Sequence, residues 1–255
     1  MSADVLQINS IKVEFERFIA IQDFSMAIQS RQLLFLIGPN GAGKTTLLDV
    51  ICGKVKPVSG EVVLNDTYNL VKYKEHQIVE LGIGRKFQAP SVFEQLTVQE
   101  NMEIALKQSR RLWRLLRTRR AKEEQETIAD RLAQMSLYEK KQQQAKALSH
   151  GEKQWLEIAM VLALEPHLIL LDEPVAGMSK GETEKTGQLL KDIATEKTVV
   201  VVEHDMHFVR SFADRVTVMH EGRMLCDGSV EEIQNNPIVQ QVYLGQRRER
   251  MHAAG

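Results

Sequence analysis

Four short runs along the chain are almost wholly apolar: Leu33 to Ile37, Leu168 to Leu171, Thr198 to Val202 and Val216 to Met219. Each is bounded by turn-forming or polar residues, the pattern of a strand buried on both faces. Stretches with helical spacing of apolar residues, Thr45 to Cys52, Glu152 to Leu164 and Glu182 to Ile193, follow or separate them. Strands alternating with amphipathic helices predict βαβ units around a parallel sheet, an α/β core. The N-terminal stretch differs. Val5 to Ile8, Val13 to Phe15 and Phe24 to Ile28 alternate more, as antiparallel strands do, and Glu61 to Leu64 is expected to join them.

Between Leu96 and Gln144 the chain is charged and free of Gly and Pro, so a helical insertion is expected rather than a linker. It holds a basic run from Lys107 to Lys122, followed by Glu123, Glu124 and Glu126. A solvated helix face accounts for that run, with lipid head groups or a partner as the alternative contact. The 255 residues are read as a single domain: 1–95 and 145–255 form the core with its β subdomain, and 96–144 form the insertion.

Lys and Arg total 33 against 34 Asp and Glu, a net charge of −1 that gives no argument for a nucleic-acid partner. Cys52 and Cys226 lie far apart in no metal-ligand spacing and suit a reducing cytoplasm. No apolar run approaches the roughly 18 residues a membrane span needs, and no secretory signal is visible at the start, so membrane work would require partner chains.

Gly38-Pro39-Asn40-Gly41-Ala42-Gly43-Lys44-Thr45 matches G-x-x-x-x-G-K-[ST] between an apolar strand and a helical segment that opens at Thr46. Glycines let backbone N–H groups turn inward around phosphate oxygens, and the helix adds its positive end. Lys44 then reaches the β- and γ-phosphates of ATP, and the Thr45 hydroxyl is placed to ligate Mg²⁺. A structural Gly-rich turn would not demand Lys-Thr after its last Gly. The strand ending at Asp172 and Glu173 delivers two acids to the sheet edge where ligands of such folds sit. Asp172 can hold Mg²⁺ through its water shell, and Glu173 can orient or deprotonate the attacking water. Another strand ends at His204 on that edge, where an imidazole can hydrogen-bond the γ-phosphate.

Leu148-Ser-His-Gly-Glu-Lys-Gln154, before an amphipathic helix read over 149–164, resembles the signature motif of ABC ATPases. As bare chemistry it is a helix start with Ser149 or Gly151 near the cap and free N–H groups. The resemblance to ABC ATP-binding subunits spans the whole chain and supplies every motif in order. It implies the P-loop NTPase fold of that family, with an N-terminal antiparallel β subdomain and an inserted helical subdomain. It also implies that Phe15 stacks on adenine, and that Gln88 of Gly84-Arg-Lys-Phe-Gln88 touches Mg²⁺ or the attacking water on a loop facing the membrane subunit. Two such subunits sandwich two ATPs, so Ser149 and Gly151 would serve the nucleotide of a sister ATPase or a second copy. Three departures stand out: His150 and Glu152 replace Gly and Gln of the common signature, Ser179 stands where many relatives carry Asp, and Arg31-Gln32 replaces Gly-Glu.

The insertion after Gln88 and the segment Glu232 to Gly245 look like the subgroup serving branched-chain amino acid and urea importers. Within it, Gly84 to Gln88, Ser91 to Glu94, Ser149 to Glu157 and Asp172 to Met178 most resemble an ATP-binding subunit of urea importers. The resemblance implies transmembrane permease subunits as partners, an extracytoplasmic solute-binding protein reached indirectly, and a place on the cytoplasmic face of the membrane. Other cargoes are branched-chain amino acids and small amides; other roles are a lipopolysaccharide-type exporter ATPase or a soluble ABC protein. The last would carry two cassettes or a long coiled-coil insertion, and a regulatory module without turnover would lack Glu173 or His204.

Overall fold

In the computed structural model, residues 4–16, 18–86, 92–108 and 120–242 are described, the side chains of 108 and 120–123 excepted. The N-terminal alternation forms two long strands, β1 (Asp4–Phe15) and β2 (Phe18–Gln29), paired antiparallel. The sequence pattern shows them only as fragments because register shifts, with Ser10 at φ 47°, interrupt the two-residue period. After β3 (Leu33–Ile37) and α1 (Lys44–Ile51), β4 (Ser59–Leu64) and β5 (Tyr68–Asn69) return to this sheet, in the order β2-β1-β4-β5.

Next come α2 (Glu75–Glu80), β6 (Ile83–Lys86), α3 (Val98–Gln108), α4 (Arg120–Gln134), α5 (His150–Leu162) and β7 (Leu168–Asp172). The remaining elements are α6 (Lys180–Ala194), β8 (Thr198–Val202), α7 (Met206–Phe212), β9 (Arg215–His220), β10 (Arg223–Gly228) and α8 (Val230–Asn235). The second sheet has the order β10-β9-β3-β8-β7-β6, parallel except for the edge strand β10. Its central strands divide alternate residues between two apolar layers. Leu33, Phe35 and Ile37, with Ile169, Leu171, Val199 and Val201, face the layer that includes α5 and the insertion. Leu34, Leu36, Leu168, Leu170, Val200 and Val202 face the layer shared with α1 and the antiparallel sheet.

The insertion leaves and rejoins the core at one neck, where Thr97 bridges Gln144 and the Ala145 N–H donates to Leu96 O at 2.8 Å. Met102, Leu106, Ile128 and Leu132 pack into the same layer as α5, so its helices share the core. The basic run beyond Lys107 and Gln88 lie outside the described residues or side chains.

Three helices begin with the same device. Ser149, Ser179 and Ser229 each accept from the N–H three residues on, where Glu152, Glu182 and Glu232 reach back to the serine N–H. Two departures from the family pattern, Glu152 and Ser179, are thus members of capping boxes, each satisfying helix-end groups that would otherwise lack partners.

Candidate phosphate-transfer site

The phosphate loop joins β3 to α1, with Gly38, Gly41 and Gly43 at φ 151°, 80° and 100°. At two of these a side chain has no room: a Cβ on Gly38 would lie 2.1 Å from Met219 O, and one on Gly43 2.7 Å from Ala20 O. The Lys44 side chain folds over the loop, its Nζ donating to Gly38 O at 2.7 Å and Pro39 O at 2.9 Å. Burial holds its pKa below that of an ordinary lysine, against the pull of Glu173 and Asp172.

The loop opens on a cleft of about 1060 Å³, lined by residues 38–46, Glu173, Val202 and His204, and by Phe18, Ala20 and the α7 residues Met206 and Arg210. The parallel sheet explains the convergence: β3, β8 and β7 are neighbours, so their carboxyl ends deliver the loop, His204 and the acids to one edge. Glu173 holds φ 47°, its N–H donates to Val202 O at 3.0 Å, and its Oε1 lies 3.3 Å from His204 Nδ1.

Asp172 sits beneath them, 2 % exposed. The Thr45 hydroxyl donates to its carboxylate, and Arg85 Nη2 stands 3.9 Å from Oδ2. Burial pushes the Asp172 carboxyl above its usual range, countered by Thr45 and Arg85. Oδ2 is buried and has no hydrogen-bond partner among the described residues. An acceptor of this kind beside a threonine hydroxyl fits a hard divalent cation such as Mg²⁺, which uses one or two carboxylates plus phosphate oxygens. Among the described residues no cluster of three His, Cys, Asp or Glu side chains could form a cage by itself.

Lys44, Thr45, Asp172, Glu173 and His204 are therefore brought together. Phe15 is not among the residues lining the cleft; Phe18, its cross-strand partner at the hairpin end, is. The start of β2, rather than the end of β1, runs against the phosphate loop, and the hydrophobic pattern of the hairpin could not choose between the two rings. Gln88 lies outside the described residues, although Glu94 downstream pairs with Lys153 of α5 at 2.6 Å.

Ser149 and Gly151 also lie away from this cleft, at the first turn of α5. There the Ser149 hydroxyl donates to Glu182 Oε1 at 3.1 Å, and a Cβ on Gly151 would meet the same oxygen at 2.4 Å. The ring of His150 links this turn to the loop after Glu173, its Nε2 lying 3.0 Å from Ala176 O.

Residues 21–176 match the family described as "ABC transporter", and residues 223–249 match "Branched-chain amino acid ATP-binding cassette transporter". The high-affinity branched-chain amino acid transport ATP-binding protein LivG of Salmonella typhimurium is 34% identical, the match covering 96% of this chain and 100% of that protein. A nucleotide-free ATP-binding cassette from an ABC transporter superposes with TM-score 0.82 at 26% identity, over 94% of this chain and 99% of that one. A cassette in a dimeric post-hydrolysis state bound to ADP and Pi has TM-score 0.75 at 26% identity, with 88% and 98% coverage. No helix among the described residues is long and apolar enough to cross a membrane.

Proposed function

The chain belongs to the ABC transporter family as an ATP-binding, ATP-hydrolysing subunit, and from that premise we propose that it energises an importer for urea. The observation that carries the catalytic part is the meeting of Lys44, Thr45, Glu173 and His204 around one cleft, with Asp172 beneath them.

ATP enters with its phosphates against the amides of residues 39–46. Lys44 Nζ exchanges the carbonyls of Gly38 and Pro39 for phosphate oxygens, so little is lost when the loop is desolvated. Thr45 and, through water, Asp172 would hold Mg²⁺, which neutralises charge on the β- and γ-phosphate oxygens. Glu173 accepts a proton from the attacking water, in a position where His204 Nδ1 at 3.3 Å steadies its carboxylate. The other imidazole nitrogen, on a side chain 61% exposed, can meet the γ-phosphate. We place adenine at the hairpin end that carries Phe15, beside its cross-strand partner Phe18, and Gln88 at the water or metal. Ser149 and Gly151 face the nucleotide of a second ATPase subunit, a sister chain or another copy.

Residues 96–144 act as the helical subdomain that, with the segment from Gln88 to Glu94, docks under transmembrane permease subunits at the cytoplasmic face. An extracytoplasmic solute-binding protein would act on those subunits, not on this chain. The urea reading rests on the likeness of Gly84 to Gln88, Ser91 to Glu94 and Ser149 to Glu157 to urea-importer subunits. A branched-chain amino acid cargo is the second reading, favoured by what LivG is named for and by the match over residues 223–249. The test is uptake in the host lacking this gene, with labelled urea and labelled leucine at micromolar concentration. Loss of urea entry alone supports the first reading; loss of leucine entry with urea entry intact replaces it by the second and leaves the ATPase chemistry unchanged.

A further inference from the structure

Glu203, the residue between β8 and His204, has no part in the chemistry above, yet it is only 2 % exposed. Among the described residues no lysine or arginine forms an ion pair with it. Its partners are backbone amides: Val175 N–H donates to Oε1 at 3.4 Å, His204 N–H to Oε2 at 3.1 Å, and Asp205 N–H also donates to the carboxylate. Burial pushes its carboxyl above the usual range, while these amides and the His204 charge act the other way. A carboxylate held by backbone amides with no ion-paired lysine or arginine among the described residues is costly to bury, which points to a use beyond stability.

The amides belong to two loops. Val175 lies on the turn that begins at Glu173, whereas His204 and Asp205 open the turn after β8. Between the same two loops runs the 3.3 Å contact of Glu173 Oε1 with His204 Nδ1. Glu173 also occupies a left-handed conformation, unusual for a residue with a side chain, and such strain persists only where neighbours over-determine it. Two ties do so here, one on each side of it: its own N–H to Val202 O, and Glu203 to Val175 N–H. Both carboxylate oxygens are needed for the clamp, since one serves each loop. Glutamine offers an acceptor on one side only and would turn a donor towards an N–H on the other.

We propose that Glu203 is a positioning residue for ATP hydrolysis, clamping the loop after Glu173 to the loop that carries His204 and so setting the spacing of the two groups that act at the γ-phosphate. The proposal rests on the roles given above to Glu173 and His204. It predicts that Glu203 acts through the spacing of Glu173 and His204 and not on nucleotide binding, because its hydrogen bonds reach neither the phosphate loop nor the adenine end of the cleft.

The experiment is steady-state Mg-ATP hydrolysis by the complex purified with its membrane partners, for the native chain, Glu203→Gln, His204→Ala and the double variant. Glu203→Gln is expected to lower kcat by ~10-fold, the size of one lost hydrogen bond to a charged group, with KM for ATP within roughly twofold of native. The double variant should be slower than native by clearly less than the product of the two single effects, because both changes act on the spacing of Glu173 and His204. Glu203→Asp, which keeps the charge but withdraws it by one methylene, should also lower kcat, and it serves if the Gln form does not assemble. Native kcat in both Glu203 variants overturns the proposal, and so does a double variant slower by the product of the single effects. Full activity in His204→Ala removes the underlying reading of the site, a different failure from either of these.

Discussion

Lys86 and Glu157 form an ion pair of 3.2 Å with both side chains almost wholly enclosed, Lys86 at the end of β6 and Glu157 in the middle of α5. Replacing Lys86 by Met keeps the apolar stem and removes the ammonium, leaving the Glu157 charge in a buried place without its cation. Breaking a buried pair from one side costs about 3–5 kcal/mol. Glu157 has a further polar interaction, which puts the expectation at the lower end, about 3 kcal/mol. For a chain of this size that lowers Tm by roughly 6 °C. Adding Glu157→Leu removes the stranded charge and should recover most of the loss, because replacing both members of a buried pair by apolar groups is often close to neutral. Thermal melts of the two single variants and the double form a complete cycle. A double variant as unstable as Lys86→Met would refute the reasoning, since the cost would then lie in how the substituted side chains fit and not in the loss of the cation beside Glu157.

Lys44→Ala should remove most ATP turnover, measured as phosphate release, because Lys44 carries the only side-chain ammonium of the loop. If Ser149 and Gly151 serve a second subunit, Glu173→Gln should bind ATP, hydrolyse it at least ~10²-fold more slowly and accumulate as an ATP-dependent dimer in light scattering; a monomer at every ATP and protein concentration, with and without a sister subunit, would remove that role. Burial raises the Cys52 thiol from 9.0 to about 11. The native state therefore holds that proton more tightly than the unfolded chain, so Cys52 lowers stability as pH rises from about 9 to about 11, by on the order of 2–3 kcal/mol. Cys52→Ala should flatten denaturant-measured stability across that window, and an unchanged slope would contradict the assignment.

What the sequence disclosed follows from where each signal is local. The strands at Leu33 to Ile37 and Thr198 to Val202 are buried on both faces, so their composition alone marks them. Strand β6 carries Arg85 and Lys86 and reads as polar, yet it is buried because Asp49, Asp172 and Glu157 arrive from distant parts of the chain to meet those charges. Strand β10, half-exposed at the sheet edge, leaves little pattern. The phosphate loop is legible because spacing and residue type are both dictated by backbone contact with phosphate. Which aromatic ring faces the cleft depends on how a hairpin end lies against that loop, and whether Glu203 is solvated or clamped depends on two loops meeting. Neither is encoded at short range.

The division of the central strands between two apolar layers also bears on which genetic changes this subunit can absorb. Exchanging one aliphatic residue for another in β3, β7 or β8 alters volume by a methyl group or so, a cost of about 1 kcal/mol. Inserting or deleting a single codon there is a different event. It turns every following side chain of the strand to the opposite layer and moves the strand end by about 3.3 Å. Asp172, Glu173 or His204 would be carried out of register with the phosphate loop by the same step that scrambles the packing. Length variation in the lineage of this chain should therefore collect in turns such as 65–67, while the strands that carry the chemistry drift in composition at constant length.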